Sequence, residues 1–352
     1  MLDSTNSTFN FVTVKKNTAG VETPESMTFT QLQGTVSTTG QATLTIPLSS
    51  ISSGVALRNE RLQGILFEAN YLPSLHFTTQ LDLTAIDAMA AGSTSVQSLT
   101  GNLVLHGIVK SVAFDALVVK HANNSVSFSP RKPIVINSAD FDLNAGIEAL
   151  RSLMTLTSIG EKVPVYFKMF LNRDNPTNTP AISLAAAPSA ATGLTGTVSN
   201  ATGAANLNWA DVSSNETGFL VRRKGADGRW ATATGTAANT VSYLDALTAS
   251  GSYDYKVISY TDSIPAAATS ALTLVYAGTT SSTSSVGNSS SSVASSVPTT
   301  STSSVASSVS SGSTSSSGTL VGDATRGASL WTQRGCVGCH GINGVKNANG
   351  TA

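Results

Sequence analysis

Leu75-His76-Phe77-Thr78-Thr79-Gln80-Leu81-Asp82-Leu83-Thr84 alternates in polarity with a period of two. Leu75, Phe77, Thr79, Leu81 and Leu83 fall on one face of an extended chain. His76, Thr78, Gln80, Asp82 and Thr84 fall on the other. Successive side chains of a strand point to opposite faces, so this spacing predicts a strand with one apolar side. The same period recurs on either side of this stretch. Ala42, Leu44, Ile46 and Leu48 share a face, as do Val112, Phe114, Ala116 and Val118. Val163, Val165, Phe167, Met169 and Leu171 alternate with Pro164, Tyr166, Lys168 and Phe170. Two short helices are expected, near residues 58–67 and 147–156. Many antiparallel strands with one apolar face close into a barrel, which removes exposed edges.

Composition limits the function. The 352 residues carry zero formal net charge and only 11% charged residues, so no cation-rich surface is expected for nucleic acid. No apolar run is long enough for a transmembrane segment. Both cysteines lie in one motif near the C-terminal end, which leaves none for a disulfide framework. Met1-Leu2-Asp3-Ser4 has neither the basic start nor the apolar core of a signal peptide. Composition divides the chain into residues 1–173, 181–278, 279–319 and 320–352.

Residues in the first block resemble the YceI-like family. The resemblance is carried by Arg58-Asn59-Glu60-Arg61-Leu62, Leu66-Phe67-Glu68-Ala69, Leu72-Pro73 and Leu75-His76-Phe77. It is carried also by Thr100-Gly101-Asn102-Leu103-Val104-Leu105-His106-Gly107-Ile108-Val109-Lys110. It covers about half the chain. Asn59 stands where an acidic residue is usual, and Arg61 stands near a usual His. The resemblance implies an antiparallel, lipocalin-like barrel of the periplasm or cell exterior that holds an isoprenoid or quinone-type lipid. Phe9, Phe11, Phe67, Phe77, Phe114 and Phe167 are the candidate pocket residues. Each alone is better explained by core packing; together, with the resemblance, they point to a long apolar cavity. His76 and His106 have no acidic neighbour in sequence and read as surface or hydrogen-bonding residues.

Residues 181–278 are similar to a fibronectin type III domain. Leu207-Asn208-Trp209 matches its strand B and Glu216 to Arg223 its strand C. Leu247 with Tyr253-Asp254-Tyr255-Lys256-Val257 matches its tyrosine corner and strand F. The resemblance implies a β-sandwich that spaces the modules. Arg222-Arg223-Lys224 reads as a solvated strand face. Residues 279–319 are almost entirely Ser and Thr, and no charged residue occurs from Ser263 to Gly322. Such a composition cannot offset the entropy of ordering, so a disordered linker is expected, with ends about 35 Å apart for a flexible coil.

Cys336-Val337-Gly338-Cys339-His340 has the spacing of a c-type haem attachment site. Cys336 and Cys339 would bond the haem vinyl groups, and His340 would ligate the iron. Asp323, Gly327, Trp331 and Gly335 resemble the first helix of class I c-type cytochromes. A thioredoxin-like site would need a βαβ setting, and a zinc site would need four ligands. No Met follows Met169, so the second axial ligand and closing helix of a cytochrome are expected beyond Ala352. Haem attachment occurs outside the cytoplasm, so an export signal is expected upstream.

The fold class expected is mainly β: a lipocalin-like barrel, a sandwich, a disordered linker and the short helical start of a cytochrome c domain. The function expected is electron transfer by a secreted modular protein, a carrier and not a catalyst. Haem c and an isoprenoid or quinone-type lipid are the ligands. A redox protein is the partner, and oxidative polysaccharide-degrading enzymes are what it would serve. The alternative is a polyprenoid carrier or sensor with the haem in an accessory role.

Overall fold

Twelve strands form one curled antiparallel sheet: β1 (Thr8–Lys16), β2 (Glu22–Phe29), β3 (Gln33–Val36), β4 (Gln41–Pro47), β5 (Ile51–Ser52), β6 (Ser74–Gln80), β7 (Thr94–Leu105), β8 (Ile108–Lys120), β9 (Val126–Pro130), β10 (Ile134–Asn137), β11 (Ser158–Ile159) and β12 (Lys162–Leu171). The computed structural model describes residues 1–123, 125–172 and 184–278. The linker 279–319, the segment 320–352 and the haem motif Cys336, Cys339 and His340 lie outside the described residues.

The strands run in the order β3-β4-β6-β7-β8-β9-β12-β1-β2-β5, with β10 on β12 and β11 on β1. The N-terminal residues join the β3 end of the sheet to β12. Leu2 N–H donates to Gly34 O at 3.0 Å, and Asp3 N–H donates to Phe170 O at 2.8 Å. The sheet thus curls around its apolar faces, as the repeated period of two requires.

The β7–β8 hairpin is the longest ladder, running from Thr94↔Val119 to Leu105↔Ile108. His106 (φ 53°) and Gly107 (φ 72°) make its two-residue turn. Both central residues have positive φ, the geometry that matches the twist of the flanking strands. Such a φ is uncommon for a residue other than glycine, so it fixes the His106 ring position at some conformational cost.

Helices α1 (Ala56–Arg61), α2 (Leu83–Asp87) and α3 (Asn144–Leu153) accompany the sheet, with a π-helical turn, Leu62–Leu66, continuing α1. The period of two does not carry to Leu83 as expected. β6 ends at Gln80, and the Asp82 carboxylate accepts from Ala85 N–H at 2.9 Å, which caps α2 and turns the chain. On α3, Ile147 and Leu150 face inward with Leu143 before and Met154 after, an amphipathic spacing. Gly146 lets α3 approach the π-helical turn, since a Cβ there would lie 2.7 Å from Ile65 O.

Residues 184–278 form two further sheets. One contains β13 (Thr192–Val198), β14 (Ala204–Ala210) and β17 (Ser242–Ala246), in the order β13-β14-β17. The other contains β15 (Gly218–Lys224), β16 (Trp230–Ala237), β18 (Gly251–Thr261), β19 (Ile264–Pro265) and β20 (Leu272–Tyr276). Its order is β16-β15-β18-β19, with β20 on β18. Leu207, Trp209, Phe219, Val221, Tyr255 and Val257 are buried between them. The Tyr253 hydroxyl donates to Ala249 O at 2.7 Å, tying the end of the loop to the start of β18.

The barrel and the sandwich fall in one compact unit, Met1–Thr280. Arg222 is fully buried at the boundary between them, which corrects its reading as part of a solvated face. β15 is the central strand of its sheet region, paired on both sides, and one of its faces turns towards the barrel.

Candidate functional site

The inner faces of the strands enclose an apolar cavity of about 260 Å³. Phe9, Phe11, Phe67, Phe77, Phe114 and Phe167, the candidate pocket residues of the sequence, all line it. Phe9 stands opposite Phe167 in the ladder, and Phe11 stands opposite both Val165 and Met27. The rings form two groups. Phe29 lies 5.8, 5.9 and 6.2 Å from Phe9, Phe11 and Phe67. Phe114 lies 6.0 Å from Phe77 and 5.7 Å edge-on to Phe167. Phe29, Leu103 and Leu105 also line the wall but were not singled out. The Met27/Phe29 alternation carries the same period-two signal. Leu62, Leu66 and Leu150 reach the cavity from helical segments, where that period is silent.

Phe77 is held in place by a gap in the opposite strand. A Cβ on Gly101 would lie 2.4 Å from both the Phe77 ring and Thr78 O, so only glycine admits the ring there.

One end of the cavity is charged. Glu25 accepts from Lys15 Nζ at 2.5 Å and from Arg58 Nη2 at 3.1 Å, and Arg61 joins them in the lining. Asn59 turns away from this cluster. Its side-chain oxygen accepts from Ser53 N–H at 2.8 Å and from the Ser53 hydroxyl at 2.6 Å.

His76 and His106 are buried, not on the surface as one reading held, and both are hydrogen-bonded, as the other reading held. His106 Nδ1 lies 2.8 Å from Phe141 O, and Nε2 lies 3.0 Å from the Glu68 carboxylate. From the sandwich, Arg222 Nη2 donates to His106 O at 2.8 Å, Arg222 Nη1 lies 3.6 Å from Glu68, and the Thr232 hydroxyl donates to Glu68. Burial raises the Glu68 carboxyl, but the hydrogen bond from His106 and the charge of Arg222 outweigh it and hold Glu68 below its usual range. Burial and the Arg222 charge together push the His106 ring down, against the pull of Glu68. Its Nδ1 faces Phe141 O and its Nε2 faces the Glu68 carboxylate, so a ring that hydrogen-bonds to both acceptors carries a proton on each nitrogen. Burial also lowers His76, whose Nε2 lies 3.2 Å from Asp262 O.

Lys256 Nζ donates to Asp142 at 2.8 Å, and Leu72 packs with Leu220, Ile258 and Tyr260. This junction abuts the cavity wall directly: Glu68 follows Phe67, and Leu143, two residues past Phe141, lines the cavity. Glu68, Leu72 and His106 lie in the stretches that carry the family resemblance, but nothing in the sequence placed them against Arg222.

The YceI-like domain matches residues 1–171. A polyisoprenoid-binding domain from Saccharophagus degradans, implicated in plant cell wall breakdown, is 35% identical to this chain. The match covers 48% of this chain and 95% of that one, with a TM-score of 0.46. The chain belongs to the YceI-like family. The identity, extended over nearly the whole of that domain, carries the assignment. An Fn3-like protein from Clostridium thermocellum is similar at 22% identity, over 26% of this chain and 95% of that one, with a TM-score of 0.23. A human fibronectin type III domain is similar at 18%, over 27% of this chain and 92% of that one, also with a TM-score of 0.23. Likenesses this distant carry no argument about the sandwich. No curated protein matches the chain.

Among the described residues of this YceI-like chain, no group of three His, Cys, Asp or Glu side chains is placed to hold a metal ion. No helix among them is long and apolar enough to cross a membrane.

Proposed function

We propose that the YceI-like barrel holds one isoprenoid-type lipid, a polyprenoid or a quinone with such a tail. The single observation that carries this reading is the cavity between the strands, with an almost wholly apolar wall and one charged end. Phe9 and Lys15 both line it from one strand, so it runs about 20 Å at 3.3 Å per residue. A long, narrow, apolar space suits a linear hydrocarbon, and Arg58, Arg61, Lys15 and Glu25 suit a polar head. The relative from Saccharophagus degradans, a polyisoprenoid-binding domain, supports the same ligand class. Solvent extraction of the purified chain followed by mass spectrometry should yield an isoprenoid. Recovery of ordinary phospholipid alone, or of nothing, would refute it.

A second role rests on Cys336-Val337-Gly338-Cys339-His340. Two thiols and an adjacent imidazole are the donor set of covalent haem c, with Cys336 and Cys339 bonding the porphyrin and His340 ligating iron. In this reading the protein is periplasmic or extracellular and is an electron carrier, not a catalyst. A redox protein exchanges electrons with it, in the service of oxidative polysaccharide breakdown. The sandwich reads as a type III module. Reduction of the purified chain should sharpen the visible bands of a c-type haem. A chain matured in a haem-attaching host and lacking those bands would overturn this second role while leaving the lipid reading intact.

A further inference from the structure

β8 and β10 flank one gap in the barrel wall and do not pair with each other. β9 pairs with β8 only from Ala116 to Lys120, and β10 pairs with β12 alone. Above the separation, Arg131 N–H donates to Asp115 O at 2.9 Å. Below that bond the wall parts into a slot of about 680 Å³. From Asp115 to Lys110 the slot runs about 17 Å along β8, at 3.3 Å per residue.

Val112, Phe114, Ile134 and Ile136 line this slot from one side and the apolar cavity from the other. These four side chains separate the two spaces, and each is only half-buried, whereas Phe11, Met27 and Phe29 elsewhere in the lining are buried. No charged side chain lies in that throat. Lys110, Asp115, Arg131 and Lys132 stand at the outer rim, exposed. The axial end of the cavity is different. There Glu25 is clamped between Lys15 and Arg58, and a hydrocarbon entering that way must pass or part these ion pairs.

We propose that the gap between β8 and β10 is a lateral portal through which the hydrocarbon chain of an isoprenoid-type lipid enters and leaves the cavity, with Phe114 and Ile134 as its gate. A side chain at this gate moves on a far shorter timescale than strand separation, because no ladder hydrogen bond must break. The proposal rests on the lipid-binding reading above.

A portal controls rates and leaves equilibrium alone, and that is its signature. The probe is geranylgeraniol carrying a fluorophore, delivered to the full chain from phosphatidylcholine vesicles. The variant Ala113→Trp/Val135→Trp places two indoles at exposed positions on the slot's outer rim. Uptake and release rates should both fall about tenfold, with their ratio, the affinity, unchanged within about twofold. Unchanged rates, or weakened affinity at unchanged uptake rate, would overturn the portal. Should that variant fail to fold, Ser111→Trp, exposed on the same rim, is read in the same way. A wild-type chain that binds no probe at equilibrium defeats the lipid reading and the portal with it. Wild-type binding with unaltered rates in the rim variants defeats the portal alone.

Discussion

Arg222 of the sandwich, fully buried, donates to the backbone carbonyl of His106 at 2.8 Å, across the boundary with the barrel. The acceptor is the first residue of the β7–β8 turn, and its ring reaches on to Glu68 and Phe141 O. One guanidinium thus grips the barrel at the tip of its longest hairpin. A guanidinium has five donors and stays charged, so burying it demands a carboxylate and a carbonyl in fixed positions. Glu68 and His106 supply them.

Arg222→Met is therefore expected to lower stability by about 3 kcal/mol, because Glu68 is left partly buried without its cation. A second change, Glu68→Gln, should recover part of that loss in a double-mutant cycle. Thermal or urea unfolding of the four proteins reads the coupling. Additive losses would mean that the two side chains do not interact.

The same junction should weaken in acid. The His106 ring is held down by burial and by Arg222, and Glu68 is held down by His106 and Arg222 despite its burial. A lowered folded-state value means that the unfolded chain binds the proton first, so stability is complete above the unfolded value and falls below it. The histidine contribution is lost as pH drops below about 6.5, and the glutamate contribution follows below about 4.3. His76 is lowered too and acts in the same direction. Melting temperatures measured between pH 8 and 5 should decline, and less steeply in His106→Gln. Equal slopes in the variant and the parent would remove His106 from this account.

Gly101→Ala should cost about 1–3 kcal/mol by overpacking. The added methyl meets the Phe77 ring, which can turn, and Thr78 O, which cannot. The displaced ring must move within the cavity, so the amount of lipid co-purifying should fall as well. Lipid content at full parental level, with parental stability, would contradict the packing described.

In the sandwich, Tyr253→Phe removes the hydroxyl bound to Ala249 O and should cost about 1 kcal/mol. The loss should appear in unfolding midpoints without any change in lipid content, because the cavity lies in the other half of the unit.

Part of the cavity lining was legible in the sequence because a strand reports its own apolar face. Phe77, Phe114 and Phe167 each stand at even spacing within an alternating run, and all three reach the lining. The helical contributors were less visible. Leu62 and Leu66 come from a π-helical turn, whose side-chain spacing matches neither the strand nor the α-helix period. The Leu75–Leu83 run also misled at its end, where Asp82 caps a helix and ends the alternation.

The sequence by itself determined the strand-rich class, the alternating apolar faces and the YceI-like resemblance that 35% identity to a relative supports. These are local patterns, written in residues a few positions apart. Only the tertiary structure decided that Arg222 is interior, that His106 meets a carboxylate, and that β8 and β10 leave a slot between them. The partners involved are 38 residues apart for Glu68 and His106, 116 for His106 and Arg222, and 164 for Glu68 and Thr232. A basic residue in a strand looks solvated until its sheet is packed, because burial depends on what another part of the chain brings against it. The slot is likewise a bond not made between two strands, and no pattern within either strand records which neighbour it will lack.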